Sequence, residues 1–225
     1  MRDFVVMCVV AIIVLLLAAL IVGGIWQWVE NHNTPSPVSP SELQVPDDWV
    51  CLWGDGFGLT LPDTWEGGSD EGLDELIARL REGDRGDLAD YLEENRASLS
   101  FYVADAAATG DANITIGKIT EYAGVSLDSV YDTWREGVSA EVGALGGTLT
   151  NVTPLTTTGP FGNFQRVGRW VARVELGQEV KAMQAVFLIQ DGDVFWEVAC
   201  STSQENWEEY EPIFEKVVGT MVLIE

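Results

Sequence analysis

Positively charged residues are scarce in this sequence. Its 12 lysines and arginines stand against 36 aspartates and glutamates, which leaves a formal net charge of −24. Such a chain repels the phosphates of nucleic acids, so nucleic acid is excluded as a partner. A surplus of acidic residues commonly serves solubility or adaptation to salt. The other interpretation, binding of cations or of a basic partner, stays open at this point.

Histidine and cysteine, the residues of many catalytic and metal centres, are also rare. The single histidine is His32, and the three cysteines, Cys8, Cys51 and Cys200, form no CxxC motif. These counts argue against histidine-based triads, Cys–His dyads and histidine-rich zinc sites. The sequence also lacks a P-loop and a GxGxxG motif behind a strand. We therefore expect no metal, no cofactor and no catalysis. The alternative is a hydrolase that uses paired carboxylates, but so acidic a chain contains such pairs by chance.

Charge is absent altogether from residues 4–25, FVVMCVVAIIVLLLAALIVGGI. As a helix this segment would be about 33 Å long, enough to cross a hydrocarbon core of about 30 Å. Trp26 and Trp28 follow it, where an interfacial aromatic belt would lie. A cleaved signal peptide would have a shorter apolar region and a small-x-small cleavage site. We therefore expect residues 1–29 to be a short cytoplasmic stub and a retained transmembrane anchor.

The basic residues around this segment predict its orientation. Arg2 precedes it, and no lysine or arginine follows until Arg79, so the positive-inside rule places the N-terminus in the cytoplasm. Residues 30–48 contain four of the eight prolines and no periodic pattern, which indicates a semi-extended linker. The remaining residues, 49–225, suit one extracytoplasmic domain of a single-pass membrane protein.

Hydrophobic periodicity divides this domain into strands and helices. Strand patterns occur in a hairpin over 50–62 and at 98–105, 112–122, 147–155, 164–176, 179–190 and 194–203. Helical patterns follow Ser69 and Ser126 and cover 86–96 and 206–224. Strands outnumber helices, and tight turns join the last strands. This pattern predicts an α+β fold in which helices flank an antiparallel sheet.

Several short motifs occur in an order that is known from one family of domains. They are GFGLTLPDTW (56–65), VSLDSVYDTW (125–134), FGNFQRVGRWVARV (161–174), KAMQAVFLIQDGDVFWEVACSTS (181–203) and EYEPIFEKVVGTM (209–221). Together they resemble PsbP-like domains, a group that includes DcrB-like and LpqN-like envelope proteins. The resemblance covers most of residues 50–222 and implies an α/β/α sandwich. A helical segment at 69–96 departs from the commonest form of these domains. The family has no shared catalytic motif, so the resemblance assigns no functional residues to this chain.

Two cysteines, Cys51 and Cys200, follow the anchor and have two possible states. An extracytoplasmic compartment permits disulfides, and an even number of exported cysteines favours pairing. In the resembling fold the first and last strands can lie close together, which would allow the bond. We therefore predict a Cys51–Cys200 disulfide, with two buried free thiols as the alternative.

Five further residues are candidates for contacts or modification. Arg166, Arg169 and Arg173 lie in one predicted strand and could contact an anionic ligand or a partner's carboxylates. Cross-strand pairs with acidic residues are the commoner use of such arginines. Asn113 and Asn151 each begin an Asn-X-Thr sequon and are glycosylation sites if the source organism modifies its envelope proteins.

The motif DGD at 191–193 lies between two apolar strands. It predicts a type I′ hairpin turn rather than a calcium site.

No motif found in the domain points to catalysis. The features together predict a non-catalytic, membrane-tethered domain that binds a protein partner or a ligand and could serve as an accessory subunit of a membrane complex.

Overall fold

The structure is a computed structural model. It describes residues 49–83, 86–94, 96, 100–106, 112–120, 122, 124–144, 146–158, 161, 164, 166–176 and 180–224. The predicted anchor at 4–25 and the linker at 30–48 lie outside these residues. Within the described ranges, no helix is both long enough and apolar enough to span a membrane.

Strands and helices in these ranges confirm the predicted α+β class. The strands are β1 (Trp49–Gly54), β2 (Phe57–Pro62), β3 (Trp65–Gly68), β4 (Phe101–Asp105), β5 (Asn113–Ile119), β6 (Gly147–Thr158), β7 (Val167–Leu176), β8 (Val180–Asp191), β9 (Val194–Ser203) and β10 (Val222–Leu223). The helices are α1 (Asp70–Glu82), α2 (Gly86–Glu94), α3 (Leu127–Ala144) and α4 (Trp207–Gly219). Of these elements, β3 and β10 were not predicted.

The strands form two antiparallel sheets. A large sheet has the order β3-β4-β5-β9-β8-β7-β6, and a small sheet has the order β1-β2-β10. The predicted hairpin over 50–62 forms as β1 and β2, but it belongs to the small sheet. The chain leaves this sheet at Pro62, which cannot donate a ladder hydrogen bond, and enters the large sheet at Trp65.

Both faces of the large sheet are covered. On one face, α4 and the small sheet pack in a cluster that includes Phe57, Trp196 and Phe214. The rings of Phe57 and Trp196 meet edge to face, with centroids 5.5 Å apart, and this contact fastens the two sheets together. On the other face, α3 packs through one cluster, and α1 and α2 pack over β4 through another. This arrangement agrees with the sandwich that the resemblance implies.

Helix α3 is positioned by its N-terminus and by aromatic contacts. The Ser126 side chain accepts a hydrogen bond from the Ser129 backbone N–H at 3.2 Å, as expected of an N-cap. The ring of Trp170, on β7, then meets those of Tyr131 and Trp134 edge to face, at 4.9 and 4.8 Å. These contacts hold the first half of α3 against β7 of the large sheet.

The C-terminal helix is shorter than the predicted span of 206–224. It ends at Gly219; the backbone N–H of the following residue, Thr220, still bonds to the last turn of the helix, whereas its side chain bonds to β2. Its hydroxyl oxygen accepts a hydrogen bond from the Thr60 backbone N–H at 3.0 Å. The chain then adds β10 to the small sheet, with Val222 opposite Gly58. A contact over 160 residues decides where the helix stops, and local periodicity cannot reveal it.

The turn between β8 and β9 also differs from the prediction. Asp191 pairs with Val194, so the loop residues are Gly192 and Asp193 rather than Asp191 and Gly192. Gly192, the first loop residue, has a φ of +58°. Asp193, the second, does not have a positive φ, because among the described non-glycine residues only Asp70 has one. A positive φ at the first loop residue alone is typical of a type II′ turn rather than a type I′ turn.

Gly67 on β3 is a position where the fold depends on the absence of a side chain. Its φ is +119°, and a Cβ there would lie 2.3 Å from the carbonyl oxygen of Tyr102, a backbone atom that cannot move aside. We expect Gly67→Ala to lower the free energy of unfolding by about 2–3 kcal/mol in urea denaturation. The matched control is Gly143→Ala on α3, where a Cβ meets nothing within 4 Å; it should be neutral or stabilising by up to about 1 kcal/mol. Equal effects at both positions would contradict this account.

Candidate functional site

The three predicted arginines have different surroundings in the structure. Arg169 reaches from β7 to α4, where its Nη2 lies 2.6 Å from Oε1 of Glu211 and 2.8 Å from Oε1 of Glu215. Arg173 lies on the same sheet face, with its Nε 3.2 Å from Oε1 of Glu175. Arg166 is exposed. Arg169 and Arg173 therefore pair with acidic residues, and the pair of Arg169 joins the sheet to a helix rather than to a neighbouring strand.

The predicted disulfide is not formed in the structure. Cys51 and Cys200 are free thiols, the first exposed and the second buried. Cys51 lies in the small sheet opposite Thr60, whereas Cys200 lies on the central strand β9 opposite Ala185. Burial raises the pKa of the Cys200 thiol well above its ordinary value, against the opposing charge of Arg169. Cys200 is therefore an inert core residue.

The two sequons differ in accessibility. The side chain of Asn113 is completely buried in the large sheet, so the folded domain has no room for a glycan there, which argues against that candidate. Asn151 is exposed on β6, although its Nδ2 donates a hydrogen bond to the Tyr131 hydroxyl at 2.8 Å. Glycosylation of Asn151 stays a prediction.

A set of buried polar side chains crosses the large sheet, and sequence reasoning missed it. Asn113 on β5, Ser201 on β9 and Gln184 on β8 occupy directly opposed positions on the face that α3 covers. Thr115 lies on the same face two residues along β5. All four side chains are 2% exposed or less. We call these four residues the polar floor.

The hydrogen bonds of the polar floor are incomplete. Nε2 of Gln184 donates to Oγ of Ser201 at 3.1 Å, and the Thr115 hydroxyl donates to a backbone carbonyl of β9 at 3.4 Å. Both polar atoms of the Asn113 amide and Oε1 of Gln184 have no hydrogen-bond partner among the described residues. The floor therefore leaves uncharged donors and acceptors unpaired in the interior of the described domain.

Glu197 lies on β9, four residues before Ser201 and on the same sheet face. Its Oε1 accepts a hydrogen bond from Nε1 of Trp134 at 3.1 Å, and its Oε2 has no partner in the described part of the chain. Burial raises the pKa of Glu197 from 4.5 to about 7, although the bond from Trp134 lowers it. The carboxyl group can therefore hold a proton near neutral pH. Its partner is an indole, not the second carboxyl group that a carboxylate-pair hydrolase needs.

The sequence contained a signal for these buried polar groups. In β9, Phe195 and Ala199 alternate with Glu197 and Ser201 along the second face of the strand. Such a mixture ordinarily indicates a solvated face. If helices cover both faces, as the resemblance implies, the same pattern indicates buried polar residues. The two inferences had to be combined to find the floor.

Strand β1 is a different kind of surface, because it is apolar and accessible. It is an outer strand of the small sheet, and its side chains Val50 and Trp53 are 41% and 48% exposed. The ring of Trp53 lies over Gly58, where a Cβ would come within 2.4 Å of it. Trp49 is covered on one side by Lys216, whose Nζ lies 4.5 Å from the ring centroid. The sequence of β1, WVCLWG, contains no charge in an otherwise acidic chain.

The architecture has a counterpart among solved structures. The solution structure of cyanobacterial PsbP (CyanoP) from Synechocystis sp. PCC 6803 superposes with a TM-score of 0.54 at 14% sequence identity, covering 80% of this chain and 95% of that one. The fold is PsbP-like. This likeness confirms the fold that the sequence motifs implied. At such low identity it extends to the fold alone.

Two other structures are more distant from this PsbP-like domain. A crystal structure from Bacteroides thetaiotaomicron VPI-5482 is 12% identical with a TM-score of 0.44, covering 81% of this chain and 50% of that one. The protein of unknown function PA94 from Pseudomonas aeruginosa is 8% identical with a TM-score of 0.41, covering 48% and 70%. No protein-family model and no curated protein matches the sequence.

Arg169 should matter for stability because it is the positive charge between Glu211 and Glu215. We expect Arg169→Gln to lower the free energy of unfolding by about 1–2 kcal/mol, since two carboxylates would then face each other unpaired beside the sheet. Arg166→Gln, at an exposed position, is the control and should change stability by less than about 0.5 kcal/mol. Urea unfolding followed by tryptophan fluorescence measures both, and an equal loss in the two variants would argue against a stabilising role of the ion pairs between Arg169 and the two glutamates.

Glu197 should make stability depend on pH. Its folded pKa of about 7 lies above the ordinary value of 4.5, so between these values the unfolded chain binds fewer protons than the folded one. The folded state therefore loses stability as pH rises through this window, by about 3 kcal/mol in total. Glu197→Gln should remove this slope, so that its stability relative to the wild type increases from pH 4.5 to 7.5. Glu136→Gln, at an exposed acidic position on α3, should keep the slope; a wild-type profile parallel to that of Glu197→Gln would refute the assignment.

Proposed function

We propose that this chain is a membrane-tethered extracytoplasmic protein that binds a protein partner through β1 and performs no catalysis itself. The observation that carries the proposal is the exposure of Val50 and Trp53 on an outer strand without charges. Because side chains alternate along a strand, Val50 and Trp53 lie on opposite faces of β1, and a partner strand added beside β1 would contact both. An unpaired strand edge also offers backbone donors and acceptors, to which an extended segment of a partner can add.

The other sheet edges support the choice of β1. The edge strand β6 contains Pro154 and two register shifts, between Asn151 and Thr153 and between Thr153 and Thr156. Bulges and proline are common devices that prevent pairing at an edge. The opposite edge, β3, spans only Trp65–Gly68. Strand β1 has neither proline nor charge to protect it, and in the described residues it pairs with β2 alone.

The position of β1 along the chain agrees with tethering. It begins at Trp49, directly after the proline-rich segment at 30–48, which would reach roughly 50 Å in an extended form. If residues 4–25 anchor the chain, the binding strand is the part of the domain nearest the membrane along the sequence. The expected partner is therefore another envelope or membrane protein. The resemblance to DcrB-like and LpqN-like envelope proteins supports the same location.

A test of the proposal removes the apolar side chains from β1. The full-length protein is purified in mild detergent, and the co-purifying proteins are quantified by mass spectrometry. We expect a partner with the wild type that falls at least tenfold with the double variant Val50→Ser, Trp53→Ser. Both side chains are about half exposed, so the melting temperature should change little.

The matched control is Val152→Ser on β6, an equally exposed apolar residue at a protected edge, with 51% of its surface accessible. It should retain the partner. Retention of the partner by the β1 double variant, or its loss with Val152→Ser as well, would show that β1 is not the binding surface.

A further inference from the structure

The charges around β1 lie at its two ends rather than along it. Asp55 directly follows the strand, in the turn to β2, and Asp63 directly follows β2, beside the start of β1. Both aspartates are exposed, and neither forms an ion pair in the described part of the chain. In the sequence, Asp47 and Asp48 directly precede the strand. An uncharged edge is therefore bounded by acidic residues.

Two lysines lie near this hairpin. Nζ of Lys216 is 4.5 Å from the ring centroid of Trp49. Nζ of Lys118 is 5.3 Å from the ring centroid of Trp196, which the ring of Phe57 contacts. Both ammonium groups thus lie over aromatic faces, and the four aspartates outnumber them. The ends of β1 therefore favour a partner of positive charge.

The backbone of β1 sets the length of the partner segment. In an antiparallel pair, residues alternate between positions that bond to the neighbouring strand and positions that point away from it. About half of β1 therefore offers N–H and C=O groups to a further strand. The six residues of β1 span about 20 Å at about 3.4 Å per residue. A partner needs a similar number of extended residues between the groups that face the aspartates.

A second copy of this chain fits the same edge poorly. If two β1 strands paired antiparallel with Cys51 opposite Cys51, Asp47 of each copy would face Asp55 of the other. If Cys51 lay opposite Leu52 instead, Asp48 would face Asp55. Like charges directly opposite each other destabilise a strand pair. The same aspartates would attract lysine or arginine on a different partner.

We propose that the partner of β1 binds through an extended, uncharged segment of about six residues with a lysine or arginine at each end. The proposal rests on the proposed binding through β1 and adds the chemistry of the partner. The uncharged part adds as a strand beside β1 and contacts Val50 and Trp53, one on each face. Its basic ends face Asp55 at the turn and the aspartates at the start of β1.

Three fluorescein-labelled peptides test charge and strand pairing separately. KVTVTVTK has the proposed pattern, EVTVTVTE replaces only its basic ends, and KVTPTPTK keeps the charge but cannot form the ladder, because proline lacks an N–H. Fluorescence anisotropy measures their binding to the full-length protein in uncharged detergent micelles, with empty micelles as the blank. The acidic ends are tested with the double variant Asp55→Asn, Asp63→Asn. Its matched control, Asp132→Asn, Glu136→Gln, removes two exposed charges from α3, on the other face of the large sheet.

We expect KVTVTVTK to bind about tenfold more tightly than either other peptide at about 50 mM salt, and its advantage over EVTVTVTE to shrink at about 500 mM. Asp55→Asn, Asp63→Asn should weaken its binding by about threefold or more, and the α3 control by less. Equal binding of KVTVTVTK and EVTVTVTE, lost for both in Val50→Ser, Trp53→Ser, would overturn the basic ends but leave binding through β1 standing.

Three further results would overturn the proposal. Equal binding of KVTPTPTK would reduce the effect to unspecific charge attraction. Absence of binding by every peptide would contradict the partner chemistry, and the co-purification experiment then decides the proposed function by itself. A dimer of the wild type in light scattering that Val50→Ser, Trp53→Ser does not form would identify a second copy as the occupant of β1.

Discussion

Burial of the large sheet on both faces is the constraint from which the rest of the domain follows. Its central strand β9 is buried at every position from Phe195 to Thr202, so no side chain there can turn to water. Apolar residues on both faces pack into clusters, and α4 and the small sheet cover one face while α1 to α3 cover the other. A polar side chain at these buried positions can find a hydrogen-bond partner only inside the protein.

This constraint explains the unusual state of the interior. Burial raises the pKa of Glu197 to about 7, so that it can hold a proton, and its Oε1 accepts the indole hydrogen bond of Trp134. The amides of the polar floor are uncharged, which makes their burial far less costly than that of ions. The surface contains the opposite exception, the exposed apolar side chains Val50 and Trp53 of β1.

Local sequence patterns located most elements and several of their contacts. The hairpin over 50–62, the helix that follows Ser69 and the cap at Ser126 depend on residues close together in the sequence, so periodicity and capping rules suffice. The disulfide, the extent of α4 and the accessibility of Asn113 depend on which strands are neighbours. Cys51 and Cys200 lie in different sheets. An extracytoplasmic location shows only that a disulfide is chemically permitted, and not that the two thiols are close together.

By itself the sequence determined the α+β class, the low content of catalytic residue types and the acidic character, because composition and period are local properties. The motif order was sufficient to indicate a PsbP-like sandwich. Only the tertiary structure decided that Arg169 joins α4, that Glu197 lies beneath Trp134 and that Asn113, Ser201 and Gln184 share one row. These relations join residues between 17 and 88 positions apart, and strand register, which no local pattern contains, brings them together.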